Sequence, residues 1–317
     1  MSVTENTIHI VSCTDKKYLQ HLAVLIVSVF ENIIGARPVV YHVFHADLGQ
    51  DDKAIFAALP KKPGQQIVFH DVAEVPSLDK IVRYGHVSQA ALYRLAFPEL
   101  MAAETHKVLY LDCDIIVKKD ITGLYDTELK GNILAAVEDA QIFVRHEQLM
   151  MPAGAKYFNS GMLLIDLNAW KAFQTSEKVI DFMVKYPERR VYNDQDGMNA
   201  ILHGKWLRLR PEFNQQTALF YFTKKRLPYT GEEIREAREN PVIIHFTGVL
   251  RNTKPWDYAD SHPFKKEYYR YLKSTPWKSY KPTPSSVSDI GLKWYLCLMR
   301  LKMKSGIVFR KKQILKR

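Results

Sequence analysis

The sequence predicts an α/β fold built on a mainly parallel central sheet with helices on its faces. Three observations carry this. Short β-rich runs alternate with helical segments of roughly 10–15 residues, the pattern of βαβ units. The run Lys107–Val117 (KVLYLDCDIIV) is almost continuously apolar, as a strand covered on both faces must be. The 317 residues are 47% hydrophobic and 25% charged, enough to fill a core, and this excludes a largely disordered chain.

Each element follows from its residues. Thr7–Ser12 (TIHIVS) is the first strand, and Tyr18–Asn32 has helical length and apolar content. Its longest apolar run, Leu22 to Phe30, is broken only by Ser28. Pro38–Phe44 is a second strand, Asp51–Leu59 a short helix and Gln66–Phe69 a third strand. Ser88–Leu100 reads as a helix that ends near Pro98. After the Lys107–Val117 strand, Ile133–Val137 and Gly161–Asp166 read as strands, Asn193–Leu202 as a helix and Val242–Phe246 as a late strand. No repeat period is visible. No apolar run reaches the roughly 18 residues of a spanning helix, and the first residues lack the basic and apolar regions of a secretory signal. Cys13, Cys113 and Cys297 are few and far apart, so neither a disulfide framework nor a zinc cluster is expected, and a reducing cytoplasm is.

The charge is unevenly distributed. The chain carries 45 Lys+Arg against 34 Asp+Glu, a net +11. Residues 265–317 hold 15 of the basic and 2 of the acidic residues, leaving 30 against 32 in residues 1–264. A near-neutral globular body, 1–264, therefore precedes a basic segment, 265–317, with Lys281–Ser288 (KPTPSSVS) as a linker candidate. From Lys293 to Arg317 there are nine basic and no acidic residues, interleaved with Trp294, Leu298, Leu301 and Phe309. At about 100° per residue, Lys293, Arg300, Lys304 and Lys311 share one helical face, with Lys302 opposite. Basic and apolar content together favour an anionic membrane surface over nucleic acid, the competing polyanion.

The candidate chemistry lies in four places. Asp112-Cys113-Asp114 would place two carboxylates on one face of a strand, roughly 6–7 Å apart along it. Charges are costly inside such a run, so they are expected to emerge at its end into a cleft. Hard oxygen ligands there suit Mg²⁺ or Mn²⁺. A second Asp-x-Asp, Asp194-Gln195-Asp196, stands at a helix start, where acidic residues also serve as caps. His245-Phe246-Thr247-Gly248 and Lys254-Pro255-Trp256 offer a strand-end imidazole, a backbone open to close approach and a cation for phosphate. Tyr157 to Asp166 contains Asn159-Ser160-Gly161, read as a polar turn feeding an apolar strand.

In this order the pieces resemble the family 8 glycosyltransferases, from about Ile8 to Trp256. The resemblance is carried by Val11-Ser12-Cys13-Thr14-Asp15 with Tyr18, by His86-Val87-Ser88 with Arg94, and by Val108 to Asp114. The Tyr157–Asp166 stretch, Asp194-Gln195-Asp196 and the His245/Gly248/Lys254-Pro255-Trp256 set complete it. Ser274-Thr275-Pro276-Trp277-Lys278 and the basic, apolar end are similar to bacterial lipopolysaccharide core glucosyl- and galactosyltransferases of that family. Two stretches depart from it: five residues, VLRNT, separate Gly248 from Lys254, and Lys16-Lys17 replaces small or acidic residues.

The resemblance implies a nucleotide-diphosphosugar transferase fold of the GT-A type and a retaining, metal-assisted hexosyltransferase using UDP-glucose or UDP-galactose. Cys13, Thr14 and Asp15 would lie against uracil and ribose, and Arg94 at the donor. Asp112, Asp114 and His245 would hold Mn²⁺ (or Mg²⁺). Asn159, Ser160 and Gly161 would face the donor sugar, Asp194 and Gln195 would flank the reacting carbon, and Gly248 and Lys254 would bind the diphosphate. The expected acceptor is a lipopolysaccharide or lipooligosaccharide core at the inner face of the cytoplasmic membrane. The alternatives are a protein glycan acceptor or, in another class, a nucleic-acid-binding protein using the tail.

Overall fold

The computed structural model describes residues 6–72, 75, 89–96, 100–141, 145–248, 253–260, 262–284, 286, 288–291 and 293–294. His86-Val87-Ser88, the helix end near Pro98, most of the VLRNT loop, Cys297 and the tail beyond Trp294 lie outside the described residues.

Strand β1 (Ile8–Cys13) leads through a short 3-10 turn at Lys16–Tyr18 into helix α1 (Leu19–Asn32). Then come β2 (Val39–His45), α2 (Gln50–Ala57), β3 (Gln65–Asp71) and β4 (Lys107–Leu111). Further along are β5 (Ile115–Val117), β6 (Leu134–Glu138), β7 (Phe158–Asp166) and β8 (Trp206–Leu209). The last two are β9 (Gln215–Gln216) and β10 (Ile243–His245). Seven strands form one sheet in the order β3-β2-β1-β4-β7-β6-β8, and β5-β10-β9 form a small second one. β1, β2, β3 and β4 are parallel neighbours, as are β6 and β8, while β7 is antiparallel to both β4 and β6.

The order places a topological switch point between β1 and β4. The chain winds outward from β1 to β3, then returns to pair β4 on the other side of β1. In open sheets of this kind the crevice outside the carboxyl ends of such strands is where ligands bind. Cys13 and Leu111 end those two strands.

Both sheet faces are covered. Helix α1 is apolar nearly all round and buries Leu19, Leu22–Phe30 and His21, as a helix packed on two sides must. One side meets the sheet; the other meets the helix Lys265–Leu272, whose Tyr268, Tyr271 and Leu272 are buried in the same core. The Tyr268 hydroxyl bonds His21 Nδ1 at 2.8 Å, and Asn32 Nδ2 donates to the Tyr271 hydroxyl at 2.7 Å. The first part of the basic segment is thus docked on the body. Further on, residues 288–291 are helical and the Lys293 ammonium lies 3.9 Å from the Tyr258 ring centroid. The opposite sheet face packs on the helices Leu167–Ala172, Thr175–Lys185 and Asn193–Leu202. Among the described residues no helix is long and apolar enough to cross a membrane.

Three expectations are corrected. Lys107–Val117 is not one strand: it breaks at Asp112-Cys113-Asp114 and feeds two different sheets. Two carboxylates flanking Cys113 cannot continue a dry strand, so the chain turns where they stand. Asn159-Ser160-Gly161 is not a turn before the strand but part of β7. The register there jumps, Ala136 pairing Leu163 while Val137 pairs Asn159, a bulge that takes Ser160, Gly161 and Met162 out of the β6 ladder. Finally, the described part of Ser88–Leu100 is a 3-10 helix, Gln89–Ala96, rather than an α-helix.

Candidate active site

The β4–β5 turn and the end of β10 converge. β10 pairs antiparallel with β5, setting His245 opposite Ile115. His245 Nε2 then lies 3.1 Å from Asp114 Oδ1 and 4.0 Å from Asp112 Oδ2. Among the described residues these three offer ligand atoms that all lie within 4.8 Å of one another. The second Asp-x-Asp forms no such group: Asp196 is fully buried and takes Arg145 Nη1 at 2.6 Å, the Tyr157 hydroxyl at 2.8 Å and Tyr192 N at 2.7 Å. It fixes the start of the helix Asn193–Leu202, and Asn193 enters that helix with φ 45°, a conformation Asn tolerates.

The donor set suits a hard divalent cation. His245 Nδ1 bonds Asn214 Oδ1 at 3.0 Å, while Asn214 Nδ2 donates to Asn159 Oδ1 at 2.9 Å. That amide orientation makes Nδ1 a donor to Asn214, so Nε2, which faces the two carboxylates, is the nitrogen that would ligate a cation. Gly161 keeps the space open: a Cβ there would strike the His245 imidazole and come within 2.9 Å of Asp112 Oδ2. Asp112 N donates to Gly161 O at 2.8 Å, so the two backbones cannot move apart. Asp139, missed by the sequence reading, lies behind this: its Oδ2 accepts from Asn159 Nδ2 at 2.9 Å and Gln195 Nε2 at 3.3 Å. The signal for it was a carboxylate just past the strand Ile133–Val137. Asn214 was also missed, although Asn214-Gln215-Gln216-Thr217, fully buried, is a polar run that a core does not otherwise keep.

Arg94 is the buried hub, 3% exposed. Its Nη2 meets Asp112 Oδ1 at 3.1 Å, its Nε meets Asp194 Oδ2 at 3.1 Å, and its Nη1 donates to Ser160 O at 2.7 Å. The Tyr110 ring lies under the guanidinium at 4.3 Å, and the Tyr110 hydroxyl donates to Asp112 Oδ1 at 2.6 Å. One cation thus ties the metal-type carboxylate, the bulged strand and the helix start together. Burial pushes the Asp194 carboxyl up to about 6, against the pull of Arg94 and with help from Asp112. Gln195 Oε1 accepts from Ser160 N at 2.9 Å and lies 3.2 Å from its hydroxyl.

Lys254 reaches the cluster across the loop after Gly248. Its Nζ sits 2.6 Å from Asp114 Oδ2. Burial opposes ionisation of Asp114, but Lys254 and His245 outweigh it and hold the carboxyl well below the usual range. Gly248 is exposed, and a Cβ there would meet Lys254 Cε only at 3.9 Å. At the end of β1, the Cys113 thiol donates to Cys13 O at 3.2 Å. Burial raises the pKa of both thiols, so they are neutral packing groups. Thr14 is buried, and Asp15 Oδ1 caps the following turn through Lys17 N at 3.0 Å.

The sequence from residue 9 to 260 matches the family model described as glycosyl transferase family 8. The chain belongs to that family. Among its relatives, general stress protein A of Bacillus subtilis is 35% identical over 279 residues, covering 87% of this chain and 96% of the relative. Lipopolysaccharide 1,3-galactosyltransferase of Salmonella typhimurium is 29% identical over 83% of this chain and 77% of its own. The crystal structure of galactosyltransferase LgtC with donor and acceptor sugar analogues superposes with a TM-score of 0.73 at 23% identity, over 90% of this chain and all of that one. The fold is that of the GT-A glycosyltransferases, with the Asp112–Asp114–His245 group at its switch point.

Proposed function

We propose that this family 8 glycosyltransferase moves glucose or galactose from a UDP-sugar to a lipopolysaccharide or lipooligosaccharide core, retaining the anomeric configuration. The observation that carries the reading is the Asp112–Asp114–His245 group beside Lys254, at the carboxyl ends of β1 and β4. The relative named as a lipopolysaccharide galactosyltransferase supports the acceptor class.

Cleavage of the sugar–phosphate bond develops negative charge on UDP and positive charge on the anomeric carbon. A divalent cation, Mn²⁺ or Mg²⁺, held by Asp112, Asp114 and His245 would neutralise the diphosphate. Lys254, paired with Asp114 here, adds a cation on the same side and turns to a phosphate oxygen when the donor binds. Uracil and ribose lie along Cys13–Asp15. Asn159, Ser160 and Gly161 present the bulged strand to the hexose.

Asp194 and Gln195 flank the reacting carbon. Asp194 is clamped by Arg94, which suits a fixed charge facing a developing cation better than a nucleophile that must travel. Gln195 is equally fixed, between Ser160, Asp139 and the Tyr157 hydroxyl. The acceptor hydroxyl therefore attacks from the face the phosphate leaves, and a departing phosphate oxygen takes its proton. The segment from about Ser288 onward holds the enzyme at the cytoplasmic face of the membrane, near its lipid-linked acceptor.

The test is UDP release from a panel of UDP-sugars by the purified chain, with Mn²⁺ and with EDTA. Release from UDP-glucose or UDP-galactose alone, only with metal, is expected. Equal release in EDTA, or none from any UDP-hexose, overturns the reading.

A further inference from the structure

Beside the reaction centre, and apart from the metal group, a cleft of about 390 Å³ opens between the Tyr157 region and the turn Lys224–Arg226. Its inner wall is Asp139 and Tyr157, both bonded to Gln195. Its outer walls carry Arg145, Lys156, Lys225 and Arg226. Glu138 is the other acidic lining residue, and it is already shared: Lys156 approaches it at 3.5 Å and Arg208 at 3.3 Å. Arg145 is paired with Asp196 behind the wall and Lys156 with Glu138, so the cations the cleft has to offer an anion are Lys225 and Arg226 of the exposed turn.

We propose that this cleft binds a phosphate carried by the acceptor glycan and so selects a phosphorylated acceptor; this rests on the transferase reading above. A phosphate monoester carries about −1.5 to −2 charge at neutral pH, which the two cations of that turn match. The cleft's inner wall touches Gln195 through Asp139 and Tyr157, which sets a phosphate held there on the acceptor side of the reaction centre. Lys225 and Arg226 are exposed, and their long side chains can close on an anion without disturbing the core. Arg145 couples the two places directly: it lines the cleft and pairs at 2.6 Å with Asp196, next to Gln195 in the chain.

The test uses soluble stand-ins for the acceptor with the full chain, Mn²⁺ and the UDP-hexose it hydrolyses. Glucose 6-phosphate is compared with glucose, glycerol 3-phosphate with glycerol, and glucuronate supplies a single carboxylate. The readouts are glycoside formation by mass spectrometry and UDP release. The phosphorylated member of each pair is expected to be glycosylated at concentrations at least tenfold lower than its neutral partner and below those for glucuronate. The K225E/R226E variant should lose that preference while keeping acceptor-free UDP-sugar hydrolysis at the wild-type rate, which also reports that it is folded. Equal use of neutral and phosphorylated compounds, a preference for glucuronate, or a preference that survives in the variant overturns the proposal. Absence of UDP release from every UDP-hexose would instead overturn the transferase reading itself.

Discussion

Gly161 has no freedom to be anything larger, and the reason is the neighbouring chemistry rather than its own backbone. The imidazole of His245 and a carboxylate oxygen of Asp112 occupy the space where a Cβ would go. Gly161→Ala should displace both, weakening Mn²⁺-dependent UDP binding by roughly ten- to a hundredfold, the usual effect of disturbing ligand orientation. Calorimetry with Mn²⁺ and UDP measures this; wild-type affinity in the variant would contradict the close approach. The two Asp-x-Asp pairs should separate in the same experiment. Asp194→Asn keeps the fold of the ligand group and is expected to bind Mn²⁺-UDP while turnover falls about 10²-fold or more. Asp112→Asn should lose the metal-dependent binding. If the two variants exchange these behaviours, the roles are reversed. These residues were legible as types at a spacing: a carboxylate pair and a strand-end histidine. Asp139, Asn214 and the hub role of Arg94 were not, because each acts through a partner remote in sequence.

At the scale of elements, the boundary that matters is not where the charge changes. The basic segment starts at residue 265 by composition, yet the helix Lys265–Leu272 buries Tyr268, Tyr271 and Leu272 against α1. Each large aromatic removed from a core costs about 3–5 kcal/mol, and whole domains are stable by only about 5–15 kcal/mol. A chain ending at residue 264 should therefore be unfolded or aggregated in circular dichroism and gel filtration. One ending near Val287 keeps that helix. It should stay folded and hydrolyse UDP-sugars, but lose the salt-sensitive binding to anionic vesicles expected of the full chain. Undiminished vesicle binding by the shorter chain would place the membrane contact elsewhere. The elements themselves were well marked by sequence. β1, α1, β2, α2, β3 and the helix Asn193–Leu202 fall within one or two residues of their expected limits. The failures cluster at the site: the break at Asp112–Asp114 and the bulge at Asn159–Gly161 are where strand propensity yields to polar groups that need a crevice.

Across the whole molecule, buried histidines set the acid limit of stability. Burial lowers His42 and His21 to about 3 and His262 to about 4 from an ordinary 6.5. His42 also links His9 and His70 across three adjacent strands, at 3.0 and 2.8 Å, and both of those are shifted down by burial as well. In the unfolded chain these groups take up protons near pH 6.5; in the fold they do not, so stability present above that pH is lost as pH falls. Asp194 and Asp260, raised to about 6, act in the opposite sense below pH 6. Three strongly shifted histidines against two carboxyls leave a net uptake of at least one proton on unfolding between about pH 6 and 4. The unfolding free energy from urea titrations should then drop by roughly 1–2 kcal/mol per pH unit through that window. A flat or rising stability there would show that these imidazoles are not held neutral.

The sequence by itself determined the α/β class, the order of the first strands and helices and the residue types of the ligand group. These depend on local periodicity and on chemistry that each segment carries alone. Sequence also favoured Asp112-Asp114 over Asp194-Asp196 as the metal pair, a strand end against a helix start, and tertiary structure supplied the contact with the histidine. Asp112 and Asp114 lie at the end of a strand that pairs beside the switch point, and pairing with β5 brings His245 to them from far along the chain. Tertiary structure also decided the Asn214 partner of His245, the need for glycine at 161 and the shared use of Arg94, since each is set by a neighbour that sequence distance conceals. Pairing across a sheet joins residues by register, and register is fixed only when the strands have met.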